Sequence, residues 1–324
     1  MATSPTSSHN FGRDDLHLID LDQELPGQRR FISCWVSVAA GRTYVVDPGP
    51  SSTADYLIRE LERLGVESLD YILLTHVHLD HGGCTALILR RWPKARVICH
   101  PRGRRHLMDP ARLWAGSQSV LGHKAEVYGE PLPVPAESLA ENSEAEAAGI
   151  TVIDTPGHAP HHHSFVDGKY LFLGECAGTF STLEAGPLTA DYYLRPATPP
   201  RFRLETALAS LDSVLALDPF PTYLMFAHHG HYAGDTKKLI TEARQQLILW
   251  TDVVRQTRDN LAALSHTEQP ENEDALMDLL RAELRRADPH FALGTELPTD
   301  IRERERDFTS QTLRGILGYL QDAL

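Results

Sequence analysis

The sequence predicts a layered α/β fold followed by a helical C-terminal region, and two observations carry this prediction. The first hundred residues alternate between short β-branched, apolar runs and segments with leucines at helical spacing, which is typical of strands and helices packed in layers. After about residue 235, long stretches with helical periodicity are separated by prolines. We therefore expect a disordered N-terminus over 1–13, an α/β domain over 14–235 and a helical region over 236–324.

The individual elements follow from period, turn residues and caps. β-branched and aromatic runs predict the strands, and leucines and isoleucines at spacings of three and four predict the helices. The predicted strands are 16–20, 31–38, 43–46, 71–75, 95–100, 150–154, one that begins with 164–166, 169–176 and 222–227, and the predicted helices are 51–64, 83–92, 201–217, 236–264, 273–287 and 300–324. The stretch 109–148 has no clear period. We interpret it as a solvated connection, with a loop or lid near the site as the alternative.

The composition is that of an ordinary globular protein with an acidic balance. The chain has 324 residues, 42% of them hydrophobic, and a formal net charge of −13. A nucleic-acid surface needs a basic footprint, so this charge argues against nucleic acid as a partner. The four cysteines form no Cys-x-x-Cys pair, and neither a signal-peptide core nor an apolar run of about 18 residues is present. We therefore expect a cytoplasmic protein with reduced thiols that acts on a small molecule and does not bind a membrane.

The stretch 75–83 concentrates metal-ligand side chains directly after a predicted strand. His76, His78, Asp80 and His81 fall within six residues. Neutral imidazole and carboxylate are ligands that zinc, iron and manganese accept. Surface-loop histidines are the alternative interpretation, but four ligand-type residues so close together favour a metal site.

This pattern, His-x-His-x-Asp-His, resembles the signature of the metallo-β-lactamase superfamily of metallohydrolases, which includes glyoxalase II, lactonases, nucleases and sulfur dioxygenases. The later Thr-Pro-Gly-His that ends at His158 is similar to the next motif of that family. The resemblance covers about residues 16–235. It implies an αββα metallo-β-lactamase-type sandwich, to which the helical C-terminal region 236–324 would be appended, and that region would narrow the pocket or form a homodimer contact.

The resemblance implies two metal sites that share one carboxylate. His76, His78 and His158 would form the first site, and Asp80, His81 and His229 the second, with Glu175 as the bridge. His228 is the alternative to His229, because a shift of one residue along a strand exchanges its two faces. Most relatives carry the shorter Asp at the place of Glu175, so metal number and identity stay open. We expect two divalent ions, zinc first, with iron or manganese as alternatives.

The resemblance and the local sequence together suggest a role, or a pair of alternative roles, for several other residues. Asp47 would orient a ligand or the activated water, although Asp-Pro-Gly is also common turn chemistry. Asp80 would also orient or receive a proton. Arg195 either holds an anionic substrate group or fixes its loop. Pocket-lining and structural roles are equally open for the run His161, His162 and His163.

Together, these residues and the resemblance predict a metal-dependent hydrolase. A metal-bound hydroxide would attack an ester, thioester or lactone bond, and one metal would stabilise the charge that develops. Three alternatives remain: a phosphodiesterase of the same fold, a mononuclear iron enzyme like the sulfur dioxygenases, and a non-catalytic metal-binding regulator.

Overall fold

The computed structural model describes residues 13–39, 41–181, 192–263 and 269–322. The predicted disordered segment 1–13 lies outside these residues except for Arg13. The described chain forms two compact units. Unit 1 comprises the residues up to Asp154 together with Pro160–Gly174 and Pro221–Ala233, and unit 2 comprises Thr155–Ala159, Glu175–Phe220 and the residues from Gly234 onward. The domain boundaries predicted above remain predictions.

The strands and helices follow one another in mixed order along the chain. The strands are β1 (Leu16–Leu21), β2 (Ile32–Ala39), β3 (Arg42–Val46), β4 (Tyr71–Leu73), β5 (Arg96–Ile98), β6 (Leu139–Ala140), β7 (Thr151–Asp154), β8 (His163–Asp167), β9 (Tyr170–Gly174), β10 (Thr179–Ser181), β11 (Tyr193–Arg195), β12 (Tyr223–Phe226) and β13 (His231–Tyr232). The α-helices are α1 (Ala54–Arg63), α2 (Leu79–Gly82), α3 (Thr85–Arg91), α4 (Pro101–Met108), α5 (Ala111–Leu121), α6 (His123–Tyr128), α7 (Asn142–Ala147), α8 (Leu204–Leu215), α9 (Thr236–Ala262), α10 (Glu273–Ala287), α11 (Pro289–Ala292) and α12 (Thr299–Asp322).

Unit 1 is built on two sheets. One sheet has the strand order β1-β2-β3-β4-β5-β6, antiparallel as far as β3 and parallel beyond it. The other has the order β13-β12-β9-β8-β7. The parallel pair β3 and β4 is joined through α1, as parallel neighbours require a crossover. The mixed α/β class predicted from the sequence is therefore confirmed.

Apolar side chains from both sheets form one core. Fully burying an aromatic side chain such as Phe165 or Phe172 contributes about 1.5–3 kcal/mol. Trp35 on β2 lies in the same cluster, and its indole nitrogen donates a hydrogen bond of 2.8 Å to the Phe226 carbonyl oxygen at the end of β12. The other buried members of this core are Leu16, Leu18, Tyr44, Val46, Leu73, Ile98, Ala140, Ala145, Ile150, Tyr170 and Met225.

The segment 109–148, interpreted from the sequence as a solvated connection, is largely helical, and most of its residues are not buried. It contains the whole of α5, α6 and α7 and the edge strand β6. Helix α5 buries none of its residues and has no strong apolar stripe, and only Ala125 and Tyr128 of α6 are buried. Helical periodicity was therefore too weak to mark these helices.

Unit 2 contains the β10–β11 pair and the helices α8 to α12. The predicted C-terminal helices are confirmed as α9, α10 and α12. Their core includes polar contacts: Trp250 donates to Asp288 at 2.6 Å, and Gln246 donates to the Leu194 carbonyl at 2.6 Å. None of the described helices has both the length and the apolar character needed to cross a bilayer.

Candidate metal centre

The loop after β4 brings the four clustered ligand residues of unit 1 together. His76 precedes α2, His78 has the extended backbone of its N-cap, and Asp80 and His81 lie within the helix. The ring centroid of His76 lies 4.5 Å from that of His78 and 4.0 Å from that of His81. The short helix therefore returns the chain so that all four side chains meet.

A second strand end adds an imidazole to this cluster. Asp80, His81 and His228 each offer a ligand atom, and these atoms lie within 4.8 Å of one another. His228 follows β12 closely and is 3% exposed. Its Nε2 lies 3.9 Å from Asp80 Oδ2, and His81 Nε2 lies 3.4 Å from the same oxygen. These three residues form a donor group of the kind that holds a divalent ion.

The donor groups found among the described residues include His228, the alternative, and not His229, the residue matched from the sequence. His229 has a φ of 63°, and its ring centroid lies 5.6 Å from that of Phe31. The left-handed backbone at His229 and Gly230 turns the chain directly after His228. The chain therefore leaves its strand conformation at this point, and the donor group takes His228, the residue before the turn.

Three imidazoles of unit 1 have an oxygen acceptor beside Nδ1. Nδ1 of His76 lies 3.1 Å from Thr75 Oγ1, that of His81 lies 3.2 Å from Asp47 Oδ2, and that of His228 lies 3.0 Å from the Phe31 carbonyl oxygen. The Thr75 hydroxyl donates its hydrogen to Asp47 at 2.7 Å, so it can only accept from His76. These contacts favour the proton on Nδ1, which leaves the lone pair of Nε2 for an ion.

Asp47 lies where its carboxylate can orient the ring of His81. It is buried, with a φ of 51°, just after β3. Its Oδ1 accepts from the Thr75 amide at 2.8 Å, and its Oδ2 accepts from the Thr75 hydroxyl and faces His81. Asp47 thus contacts two residues of the metal loop rather than open solvent. Its predicted role remains a prediction, with geometry that suits it.

Unit 2 brings His158 and Glu175 into contact. His158 Nε2 lies 2.9 Å from Glu175 Oε2, and His158 Nδ1 lies 3.2 Å from the Ala197 carbonyl oxygen. That carbonyl can only accept, so the contact favours the proton on Nδ1 and a lone pair on Nε2. A lone pair and a carboxylate oxygen 2.9 Å apart repel each other unless a cation or a proton lies with them. The pair is therefore suited to share a divalent ion.

The run His161, His162 and His163 is divided between two faces. The ring centroids of His161 and His162 lie 6.4 Å and 5.2 Å from that of His76. His163, the first residue of β8, instead pairs across the sheet with Asp154, whose Oδ1 lies 2.8 Å from its Nε2. His161 and His162 precede β8 and lie in and just after a turn, so the bend before the strand separates them from His163, not alternation along the strand.

Arg195 forms a buried ion pair, which favours the second of its two interpretations, that it fixes its loop. Its guanidinium is buried, and its Nε lies 2.9 Å from Glu305 Oε2 on α12. The residue is therefore not displayed as an anion-binding group in unit 2; it fixes the segment that follows β11.

A third donor group consists of His100, Asp154 and His163. Burial, then the neighbouring His100, lowers the pKa of His163 to about 4, so its imidazole is neutral near pH 7. His100 caps α4, and its Nδ1 accepts a hydrogen bond of 3.0 Å from the Arg102 amide. The neutral His100 ring then carries its proton on Nε2, the nitrogen that faces Asp154. This tautomer suits a hydrogen-bonded cluster rather than an ion.

The family model for the metallo-β-lactamase superfamily matches residues 27–234. The chain therefore belongs to the metallo-β-lactamase superfamily of hydrolases. A metallo-β-lactamase fold-containing protein of Sulfurisphaera tokodaii, ST1585, is 30% identical over 198 residues, which cover 58% of this chain and 69% of that protein. A hydroxyacylglutathione hydrolase of Xanthomonas oryzae pv. oryzae is 31% identical over 144 residues. The match covers 44% of each chain, so this sequence spans less than half the length of that relative.

Two solved structures share the fold. The crystal structure of ST1585 has a TM-score of 0.60 at 23% identity and covers 93% of this chain and 98% of its own. A metallo-β-lactamase family protein from Thermus thermophilus, TTHA1429, has a TM-score of 0.60 at 22% identity and covers 96% and 95%. These likenesses confirm the predicted αββα sandwich with its helical C-terminal region.

Proposed function

We propose that this chain is a metal-dependent hydrolase that cleaves an ester, thioester or lactone bond of a small molecule at a centre of two divalent ions. His76, His78 and His158 would hold one ion, and Asp80, His81 and His228 the other, with Glu175 as the shared carboxylate. The observation that carries the proposal is the oxygen acceptor beside Nδ1 in His76, His81, His158 and His228, because it prepares each Nε2 as a ligand.

The chemistry of the donor set supports this proposal. Imidazoles and carboxylates suit zinc, iron and manganese, and we favour zinc. When bound, such ions supply Lewis acidity and an activated water at neutral pH. The oxygen acceptors beside the imidazoles would orient the ligands, and Asp80, which is only partly buried and has Oδ2 3.4 Å from His81 Nε2, would accept a proton. The relatives named hydroxyacylglutathione hydrolase support hydrolysis of an acyl compound.

The first test is elemental analysis of protein purified without added metal or chelator, followed by assays with ester, lactone, thioester and phosphodiester substrates. We expect about two ions per chain and turnover of an acyl substrate. A single iron per chain would overturn the two-ion centre and favour the dioxygenase alternative. Turnover of phosphodiesters alone would favour the phosphodiesterase, and loaded protein inert towards every substrate would support the non-catalytic regulator.

Two adjacent variants separate the alternatives for the last ligand. We expect His228→Ala to lose about one ion per chain, because it removes a donor of the group with Asp80 and His81. His229→Ala is the matched control, one residue along the chain, and is expected to keep both ions. Loss of about one ion per chain in His229→Ala but not in His228→Ala would identify His229 as the ligand.

A further inference from the structure

Helix α12 carries none of the proposed metal donors, yet it contacts the segment that holds His158. This segment, residues 195–198, begins at the last residue of β11, and its Ala197 carbonyl oxygen lies 3.2 Å from His158 Nδ1. A carbonyl group has no freedom of its own, so its position is set by the backbone on either side. The residues that fix this backbone therefore also fix the ring of His158.

Thr312 of α12 makes hydrogen bonds on both sides of Ala197. Its hydroxyl donates to the Pro196 carbonyl at 2.9 Å and accepts from Arg195 Nη1 at 3.0 Å. The Thr198 hydroxyl in turn donates to the Thr312 carbonyl at 2.7 Å. Thr198 and Thr312 are 3% and 2% exposed, so water does not compete for these bonds. One helix residue thus holds the backbone before and after the carbonyl that faces His158.

Gly315, one turn further along α12, allows the closest approach. A Cβ atom at this position would lie 2.0 Å from the Thr198 carbonyl oxygen and 2.8 Å from the Pro199 carbonyl oxygen. Backbone atoms at such distances cannot give way without moving the segment. At Gly318 on the same helix, a Cβ atom would meet nothing within 4 Å.

We propose that α12 is a positioning element of the metal centre, in which Thr312 and Gly315 hold residues 195–198 so that the Ala197 carbonyl orients His158 towards its ion. The inference rests on the proposed metal centre. It assigns to the C-terminal helical region a part in metal binding without any ligand. Thr312 and Gly315 are positioning residues, which act through Ala197 and His158.

The test compares Zn²⁺ affinity, measured by chelator competition on the full chain, in two matched pairs of variants. Thr312→Val removes the hydroxyl at nearly constant volume, and Thr312→Ser keeps it. Gly315→Ala introduces the clashing methyl group, and Gly318→Ala adds the same methyl group in open space. We expect Thr312→Val and Gly315→Ala to weaken Zn²⁺ binding about tenfold or more, the range for partners that orient a ligand. Thr312→Ser and Gly318→Ala should bind like the wild type.

Two further measurements distinguish a change in ligand geometry from a loss of stability. The Co²⁺ absorption spectrum reports ligand geometry directly, and thermal unfolding of the metal-free variants reports stability. Equal Zn²⁺ affinity and equal Co²⁺ spectra in all four variants would overturn the inference; if Gly315→Ala does not fold, the Thr312 pair decides alone. Wild-type protein that binds two ions but hydrolyses nothing would contradict the proposed function and leave this comparison intact. Wild-type protein that binds no ion would overturn both.

Discussion

At the scale of single residues, the oxygen atoms beside the imidazoles matter as much as the imidazoles themselves. A histidine ligand is oriented, and its basicity raised, by the acceptor of the hydrogen on its other ring nitrogen. Asp47 serves His81 directly and serves His76 through the Thr75 hydroxyl. One buried carboxylate therefore determines the tautomers of two neighbouring rings.

The first prediction concerns this carboxylate. Asp47→Asn keeps the size of the side chain and tolerates the φ of 51°, because asparagine is enriched in left-handed conformations. It replaces one acceptor oxygen by an NH₂ group, so either Thr75 or His81 loses its partner. We expect Zn²⁺ affinity to fall about 10- to 100-fold, measured by chelator competition.

The control is Asp55→Asn, which makes the same change of charge on the exposed face of α1. It should bind Zn²⁺ like the wild type. If both variants bind with unchanged affinity, Asp47 has only a turn-forming role, which is the alternative that its Asp-Pro-Gly context offers.

The proposed ligands of the centre were easier to recognise from the sequence than their hydrogen-bond partners. A side-chain ligand can be recognised from the residue type alone, as with His76, His78, Asp80 and His81. The acceptors for His228 and His158 are the carbonyl groups of Phe31 and Ala197, and every residue has a carbonyl. No sequence signal could have singled these two out, since only the folded backbone brings them to a histidine.

At the scale of elements, the end of β9 shows why a glycine precedes Glu175, the proposed shared carboxylate. Gly174 has a φ of +56°. A Cβ atom there would lie 2.4 Å from His162 Nε2 and 2.7 Å from Thr75 Oγ1. The bare backbone therefore lets the strand end approach the loop that carries His76, directly before Glu175.

The second prediction compares two glycines with nearly the same backbone. Gly174→Ala and Gly168→Ala both place a methyl group at positive φ, which costs about 1–2 kcal/mol. Only Gly174→Ala adds a clash, since a methyl group at Gly168 would meet nothing within 4 Å. We expect Gly174→Ala to lower the free energy of unfolding by about 1–3 kcal/mol more than Gly168→Ala does, measured by urea denaturation. Equal losses in the two variants would show that the neighbouring side chains move aside freely.

Elements were predictable where burial gives them a clear period. The leucines of α1 share one face, and the apolar run of β9 is buried throughout, so both patterns are strong. Helix α5 buries no residue, so its sequence carries no such pattern. The helices of the segment 109–148 were missed for this reason.

At the scale of the whole molecule, the sequence could not show that unit 2 gathers separate stretches of chain. Thr155–Ala159 and Glu175–Phe220 join the C-terminal residues in that unit. The buried ion pair between Arg195 and Glu305, 110 positions apart, belongs to this assembly. Such distant pairs leave no local periodicity from which they can be inferred.

The third prediction concerns the acid stability of the protein. Burial alone would raise the pKa of Glu305, but Arg195 and Arg304 outweigh it and lower the pKa to about 2. In the unfolded chain a glutamate ionises at about 4.3. The Glu305 carboxylate therefore stabilises the fold fully above this pH, and its contribution is lost as the pH falls towards 2.

Glu305→Gln should reduce the free energy of unfolding at pH 7 by about 3–5 kcal/mol, because it leaves two buried guanidinium groups without their carboxylate. The loss of stability between about pH 5 and pH 2 should then be smaller than in the wild type, measured by denaturant unfolding at each pH. Glu303→Gln, an exposed position on the same helix, is the control. The same acid dependence in the wild type and in Glu305→Gln would contradict the assignment.

The contacts between α12 and residues 195–198 also affect how tightly the chain binds its ions while it is being synthesised. Chains grow from their amino end, so every proposed metal donor, from His76 to His228, leaves the ribosome before Thr312 and Gly315 do. Until then the Ala197 carbonyl lacks the helix that holds its neighbours. A nascent chain is therefore expected to capture its ions less tightly before α12 has been made and has packed than afterwards.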